Sequence, residues 1–211
     1  MRRALLVGID DYTNAPLSGC VNDALRLANL LETNEDGAPN FSCKVMIAPG
    51  HSVTKASLRE PLEHLFADEG DAALFYFSGH GTANNLGGFL VTQDATRYDE
   101  GLPMNQIITL ANKSKVQEAI IILDCCHSGA LGNLPEVDKL SVPLREGVSV
   151  LSASRASQVA VEVNQGGLFT TLIHDALSGG ASDVVGNVTV AGVYFYCVIK
   201  NKPVLECFRG C

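Results

Sequence analysis

Tryptophan is absent, and Tyr and Phe together supply only 6% of the residues. Proteins that hold single-stranded nucleic acid stack its bases on aromatic side chains along a basic groove. This chain has few such platforms, and its net charge is -8. An acidic balance repels phosphate backbones and anionic membrane surfaces and favours cationic partners. Neither nucleic acid nor membrane is therefore expected as a partner. Long apolar runs are lacking as well. The segment Ala4–Ile9, which follows Met1-Arg2-Arg3, is too short for a secretory core or a membrane span. Metal-ligand spacing is also missing: Cys125-Cys126-His127 are consecutive, without the two-to-four-residue gap of a zinc site.

What is present is ample core material. Hydrophobic residues make up 46% of the 211 positions, enough for one substantial domain without metal or disulfide support. The seven cysteines (Cys20, Cys43, Cys125, Cys126, Cys197, Cys207 and Cys211) are odd in number and irregularly spaced, and two are adjacent. That pattern suits free thiols in a reducing cytosol.

Short apolar runs alternate with helical patterns. Strands are predicted at Ala4–Ile9, Cys43–Ile47, Ala72–Phe77, Phe89–Val91, Ala119–Cys125, Val148–Ser152 and Val193–Ile199. Continuous runs such as Ile120-Ile121-Ile122-Leu123 suit strands covered on both faces. Helices are predicted where Val21, Leu25, Ala28 and Leu31 recur behind a Ser18 cap, and where Leu58, Leu62 and Leu65 recur behind Thr54. A third covers Leu168–Leu177 and stops at Gly179-Gly180. The alternation predicts an α/β fold, a mainly parallel central sheet flanked by helices on both faces.

Ligands in such sheets sit beyond the carboxyl ends of the strands. Two strand ends carry reactive side chains there: Ser78-Gly79-His80-Gly81 and Asp124-Cys125-Cys126-His127-Ser128-Gly129. A free thiol has a pKa of about 8.5 and is mostly protonated at neutrality. An imidazole beside it helps form the thiolate and can later protonate a leaving amine. His80 and Cys126 on neighbouring strands would meet this need. The N–H groups of Gly81 and Cys126 are the natural oxyanion donors. Asp124 and Cys126 share a face if the strand persists. A carboxylate there opposes thiolate formation but suits a cationic substrate side chain.

These two motifs resemble the catalytic signatures of the caspase-like cysteine peptidases, in the metacaspase and bacterial branch. The similarity runs from Leu-Val-Gly-Ile-Asp near the start to Gly192-Val193-Tyr194. It implies a caspase-like fold and a cysteine endopeptidase with Cys126 as nucleophile and His80 as its partner. Cys125 takes the variable position, as a packing residue. The resemblance also assigns the S1 substrate-binding wall to Cys20, Asp23, Ser78 and Asp124, and so cleavage of protein substrates after Arg or Lys. It further implies that Ser152–Gln158 helps hold the substrate backbone.

The same resemblance divides a single domain, 1–211, into a large-subunit-like part (1–130), a linker (131–147) and a small-subunit-like part (148–211). Lys139 and Arg145 in the linker are candidate self-cleavage positions. Many metacaspases need calcium, but Asp94, Asp99 and Glu100 form no compelling oxygen cluster, so no metal residue is assigned. A regulatory partner protein or domain would have to supply any activating signal. The alternatives are a caspase-like scaffold that only binds partners and a Cys-His peptidase with another P1 preference; both motif residues being present speaks against the scaffold.

Overall fold

The computed structural model describes residues 1–127, 143–153, 162–163, 166–200 and 205–209, with backbone alone at 126–127, 162–163, 166 and 205–209. The elements run β1 (Arg2–Ile9), α1 (Cys20–Glu32), β2 (Phe41–Ala48), α2 (Lys55–Ala67), β3 (Ala72–Asn84), β4 (Gly87–Leu90), β5 (Leu102–Pro103), α3 (Met104–Lys113), β6 (Glu118–His127) and β7 (Val148–Ala153). A short hairpin, β8 (Glu162–Val163) and β9 (Gly166–Gly167), leads into α4 (Leu168–Asp175) and its π-turn (Ala176–Gly180). Helix α5 (Val190–Lys200) and strand β10 (Leu205–Arg209) follow.

The main sheet has the order β10-β7-β6-β3-β1-β2, with β4 added beside β3 and β5 beside β4. The inner neighbours are all parallel; β10 and β4 pair antiparallel with β7 and β3. Alternation along each strand divides the core in two. Leu5, Val7, Phe75, Phe77, Ile121 and Leu123 meet α2 and α3 on one face. Leu6, Tyr76, Ile122 and Leu151 meet α1, α4 and α5 on the other. The apolar runs therefore do form doubly covered parallel strands, as predicted.

Two local predictions change. Val193–Ile199 is helical, not a strand. Its β-branched and aromatic residues favour a strand locally, but packing overrides that preference. In a strand these alternate positions would share a face. Instead Val193 and Cys197, one helical turn apart, are buried, while Phe195 and Ile199 are 62% and 76% exposed. Ser18 is not the cap of α1. Gly19 holds that position at φ 100°, and the Asp10 carboxylate accepts from Cys20 N (2.9 Å) and Val21 N (3.3 Å). Helix α3, with Ile107, Ile108 and Ala111 inward, is an additional element, as is β10. Thr54 does cap α2, in a reciprocal box with Ser57.

Candidate active site

Strand β3 lies between β1 and β6, and its ladder with β6 continues past the last residue of β1. In that ladder Ser78 pairs with Asp124, Gly79 with Cys125, His80 with Cys126 and Gly81 with His127. Paired residues of parallel strands project to the same side, with backbones about 4.8 Å apart. Ser78, His80, Asp124 and Cys126 thus belong to one face, the face that α1 and α4 cover. Ser78–Gly81 and Asp124–His127 lie within extended strand. Strand β3 runs on to Asn84, and there it pairs with β4.

His80 is half-buried and held from several directions. Its Nε2 lies 2.7 Å from the carbonyl oxygen of Ala15. A carbonyl can only accept, so Nε2 carries the proton and Nδ1 is the basic nitrogen. The backbone N–H of His80 donates to the Tyr12 hydroxyl (3.1 Å), and the two rings are 4.6 Å apart, centroid to centroid.

Two buried carboxylates stand beside this pair. Asp23, in the first turn of α1, is 1% exposed, so it is not a solvated first-turn residue. Its Oδ2 accepts the Gly167 N–H at 2.7 Å, while its Oδ1 has no hydrogen-bond partner among the described residues. Asp124 Oδ2 accepts the Thr170 hydroxyl at 2.6 Å, and Thr170 shares a 2.6 Å bond with the Tyr76 hydroxyl. A methyl group on Gly167 would lie 2.8 Å from Asp124 Oδ2 and 3.2 Å from Asp23 Oδ2. Both carboxylates therefore converge on one glycine. Burial raises the Asp23 pKa to about 7; the Gly167 N–H and Arg26 oppose the rise, while Asp124 and Asp10 add to it.

Cys20 completes the group. Gly8, next to Ser78 in the β1–β3 ladder, has no side chain, and the Cys20 carbonyl occupies that space. Burial drives the Cys20 thiol well above its ordinary range, and a hydrogen bond from Ser78 only partly offsets this. At neutral pH this keeps the Cys20 thiol protonated. The fold brings Cys20, Asp23, Ser78 and Asp124 together, and the Ser78–Asp124 pair lies two residue pairs before His80 and Cys126 in the ladder.

Residues 1–190 match the Caspase domain family, Peptidase C14. The chain belongs to that family. Metacaspase-2 of Trypanosoma brucei brucei is 29% identical over 155 residues, covering 63% of this chain and 43% of that protein. Metacaspase-4 of Arabidopsis thaliana is 33% identical over 145 residues, covering 62% and 34%. The chain spans less than half the length of these curated relatives. Among solved structures, protein GSU0716 from Geobacter sulfurreducens superposes with a TM-score of 0.72 at 16% identity, covering 100% of this chain and 94% of that one. The Drosophila initiator caspase Dronc superposes with a TM-score of 0.66 at 13% identity, covering 98% and 78%. At such identities these structures show the fold, which is caspase-like.

In this caspase domain, Cys125 is buried in the core beneath Gly81, on the opposite face from the site, as a packing residue should be. Lys139 and Ser154–Gln158 lie outside the described residues. Arg145 lies within them, half-buried, donating to the carbonyls of Glu146 (2.6 Å) and Val116 (2.8 Å). Among Asp94, Asp99 and Glu100, each carboxylate has a partner: Thr92 with the Lys55 N–H, the Lys55 ammonium, and Asn84. They do not fit calcium, which wants six to eight oxygens turned toward one point. Among the described residues, no helix is long and apolar enough to cross a membrane. The contributions of Asp10, Tyr12, Ala15 and Thr170 were not predicted from sequence. The first three follow the end of β1, where the strand-end rule already points.

Proposed function

We propose that this caspase domain hydrolyses peptide bonds after Arg or Lys, using Cys126 as nucleophile and His80 as proton carrier. The observation that carries the specificity is the buried Asp23–Asp124 pair, with an Asp23 oxygen unpartnered among the described residues, beside the dyad positions. Such a site disfavours an acidic substrate side chain. Two unit charges about 4 Å apart attract by about 4 kcal/mol at an effective dielectric of 20, before desolvation is counted. An arginine would recover part of the cost of burying two carboxylates.

The reaction proceeds in two halves. The Cys126 thiol proton moves to His80 Nδ1, and the thiolate sulfur bonds to the substrate carbonyl carbon. The Ala15 carbonyl holds the opposite edge of the resulting imidazolium. The Gly81 and Cys126 N–H groups receive the oxyanion, each such donor typically being worth about 2.7–4 kcal/mol. The C–N bond then breaks, and His80 returns its proton to the amine. Water, deprotonated by His80, attacks the thioester and releases the acid and the thiol.

Matched fluorogenic peptides differing only at P1 test this reading, with Cys126→Ala as the blank. Arg and Lys peptides should turn over and the Asp peptide should not; faster cleavage of the Asp peptide overturns it. The same specificity makes Lys139 a self-cleavage position. Cleavage after Arg145 would first have to break its two bonds to backbone carbonyls. Equal intact masses for wild type and Cys126→Ala after incubation would remove self-processing.

A further inference from the structure

At His80, strand β3 changes neighbours. Its β1 ladder ends at Ser78, opposite Gly8, and its β4 ladder begins at Gly81, opposite Leu90. His80 and Val91 come next in the β3–β4 register. An antiparallel pair at such a position normally exchanges two direct N–H···O bonds. Here only one is direct, from Val91 N to His80 O at 2.9 Å. The other is opened by a side chain. His80 N donates to the Tyr12 hydroxyl (3.1 Å), and that hydroxyl donates to Val91 O (3.0 Å).

The seat is built for a hydroxyl. Tyr12 is buried, and a methyl group on Gly79 would lie 2.5 Å from its oxygen. The Tyr12 ring also packs against the His80 imidazole. Ala15, whose carbonyl accepts from Nε2, follows three residues later in the same connection. One connection therefore grips His80 at its backbone N–H, ring face and Nε2.

From this we infer that Tyr12 is a positioning residue for the proposed reaction: its hydroxyl, inserted between His80 and Val91, sets the place of the His80 imidazole. It acts through His80, which it holds at the backbone N–H and the ring. The inference rests on the dyad reading above.

Tyr12→Phe keeps the ring and removes the bridge. A displacement of about 1 Å at a reacting group can cost about 100-fold in rate. A shift of part of that size should lower kcat about tenfold on an Arg peptide and leave KM within twofold. The rate of iodoacetamide labelling at Cys126, located by peptide mass analysis, should slow by a similar factor. Both rates are scaled to the folded fraction, read from the thermal transition, so that partial unfolding does not mimic the effect. Gly79→Ala, which crowds the hydroxyl without removing it, should slow both rates in the same sense. Wild-type kcat and labelling in folded Tyr12→Phe would overturn the inference, as would a loss fully explained by the unfolded fraction. His80→Ala is the separate control: if it keeps wild-type turnover, the dyad reading itself fails, whatever Tyr12→Phe does.

Discussion

Gly167 donates its backbone N–H to Asp23 Oδ2 at 2.7 Å, joining the entry of α4 to the first turn of α1 across 144 residues of chain. The bond satisfies one oxygen of a buried carboxylate, and the other has no partner among the described residues. Asp124 stands against the same glycine. The arrangement has measurable consequences.

Asp23 is held at about pH 7 by burial and, in smaller part, by Asp124. An unperturbed Asp titrates near 3.9. Between about pH 4 and 7 the folded protein therefore keeps a proton that the unfolded chain has released. This group's contribution to stability is greatest below about pH 4 and declines as the pH rises through about 7. Asp23→Asn should remove that decline. Its melting midpoint should exceed that of the wild type at pH 8, with the gap shrinking at pH 5. A gap that widens toward low pH would contradict the assignment. On the proposed specificity an Arg side chain favours the ionised form, so wild-type KM for an Arg peptide should fall as the pH rises through about 7.

Gly167→Ala should be costly although its backbone, at φ -69°, is open to any residue. The added methyl group meets Asp124 Oδ2, which the Thr170 hydroxyl already holds at 2.6 Å. Overpacking of this kind typically costs about 1–3 kcal/mol. The denaturation midpoint should fall accordingly, and KM for an Arg peptide should rise. An unchanged midpoint with unchanged KM would mean that the carboxylates yield freely.

The Ala15 carbonyl fixes the tautomer of His80. Nitrogen-15 NMR of the imidazole at neutral or higher pH should show Nε2 protonated and Nδ1 bare. The reverse pattern would leave no basic nitrogen in the place required of it.

Helix α5 offers a test of the fold. Phe195→Lys and Ile199→Glu, on its exposed side, should change stability by less than about 0.5 kcal/mol. Val193→Ala and Cys197→Ser, on its buried side, should each cost more, measured by chemical denaturation. If the segment were a strand, all four alternate positions would share one face and respond alike.

Much of the site was legible because it lies on single strands. The runs ending at Ser78-Gly79-His80 and Asp124-Cys125-Cys126 announce buried parallel strands, and the strand-end rule marks the residues that matter. Their local order also places Ser78 and Asp124 two positions before His80 and Cys126. The α5 segment misled for a related reason. Its β-branched and aromatic residues read as a strand, while the burial of Val193 and Cys197 against neighbouring elements selects a helix. Ser18 misled too, because the Asp10 carboxylate at the end of β1 already accepts from the first N–H groups of α1.

The sequence by itself determined the α/β class, most of the strands, and the two motifs with His80 and Cys126 at equivalent points. These follow from periodicity and covalent neighbours, which act over a few residues. Only the tertiary structure decided that Asp23 and Asp124 share Gly167, that Thr170 and Ala15 hold their groups, and that Tyr12 fills the break between β1 and β4. Those contacts join residues far apart in the chain, and they form because packing α1 and α4 onto one sheet face leaves polar groups that only such partners can satisfy.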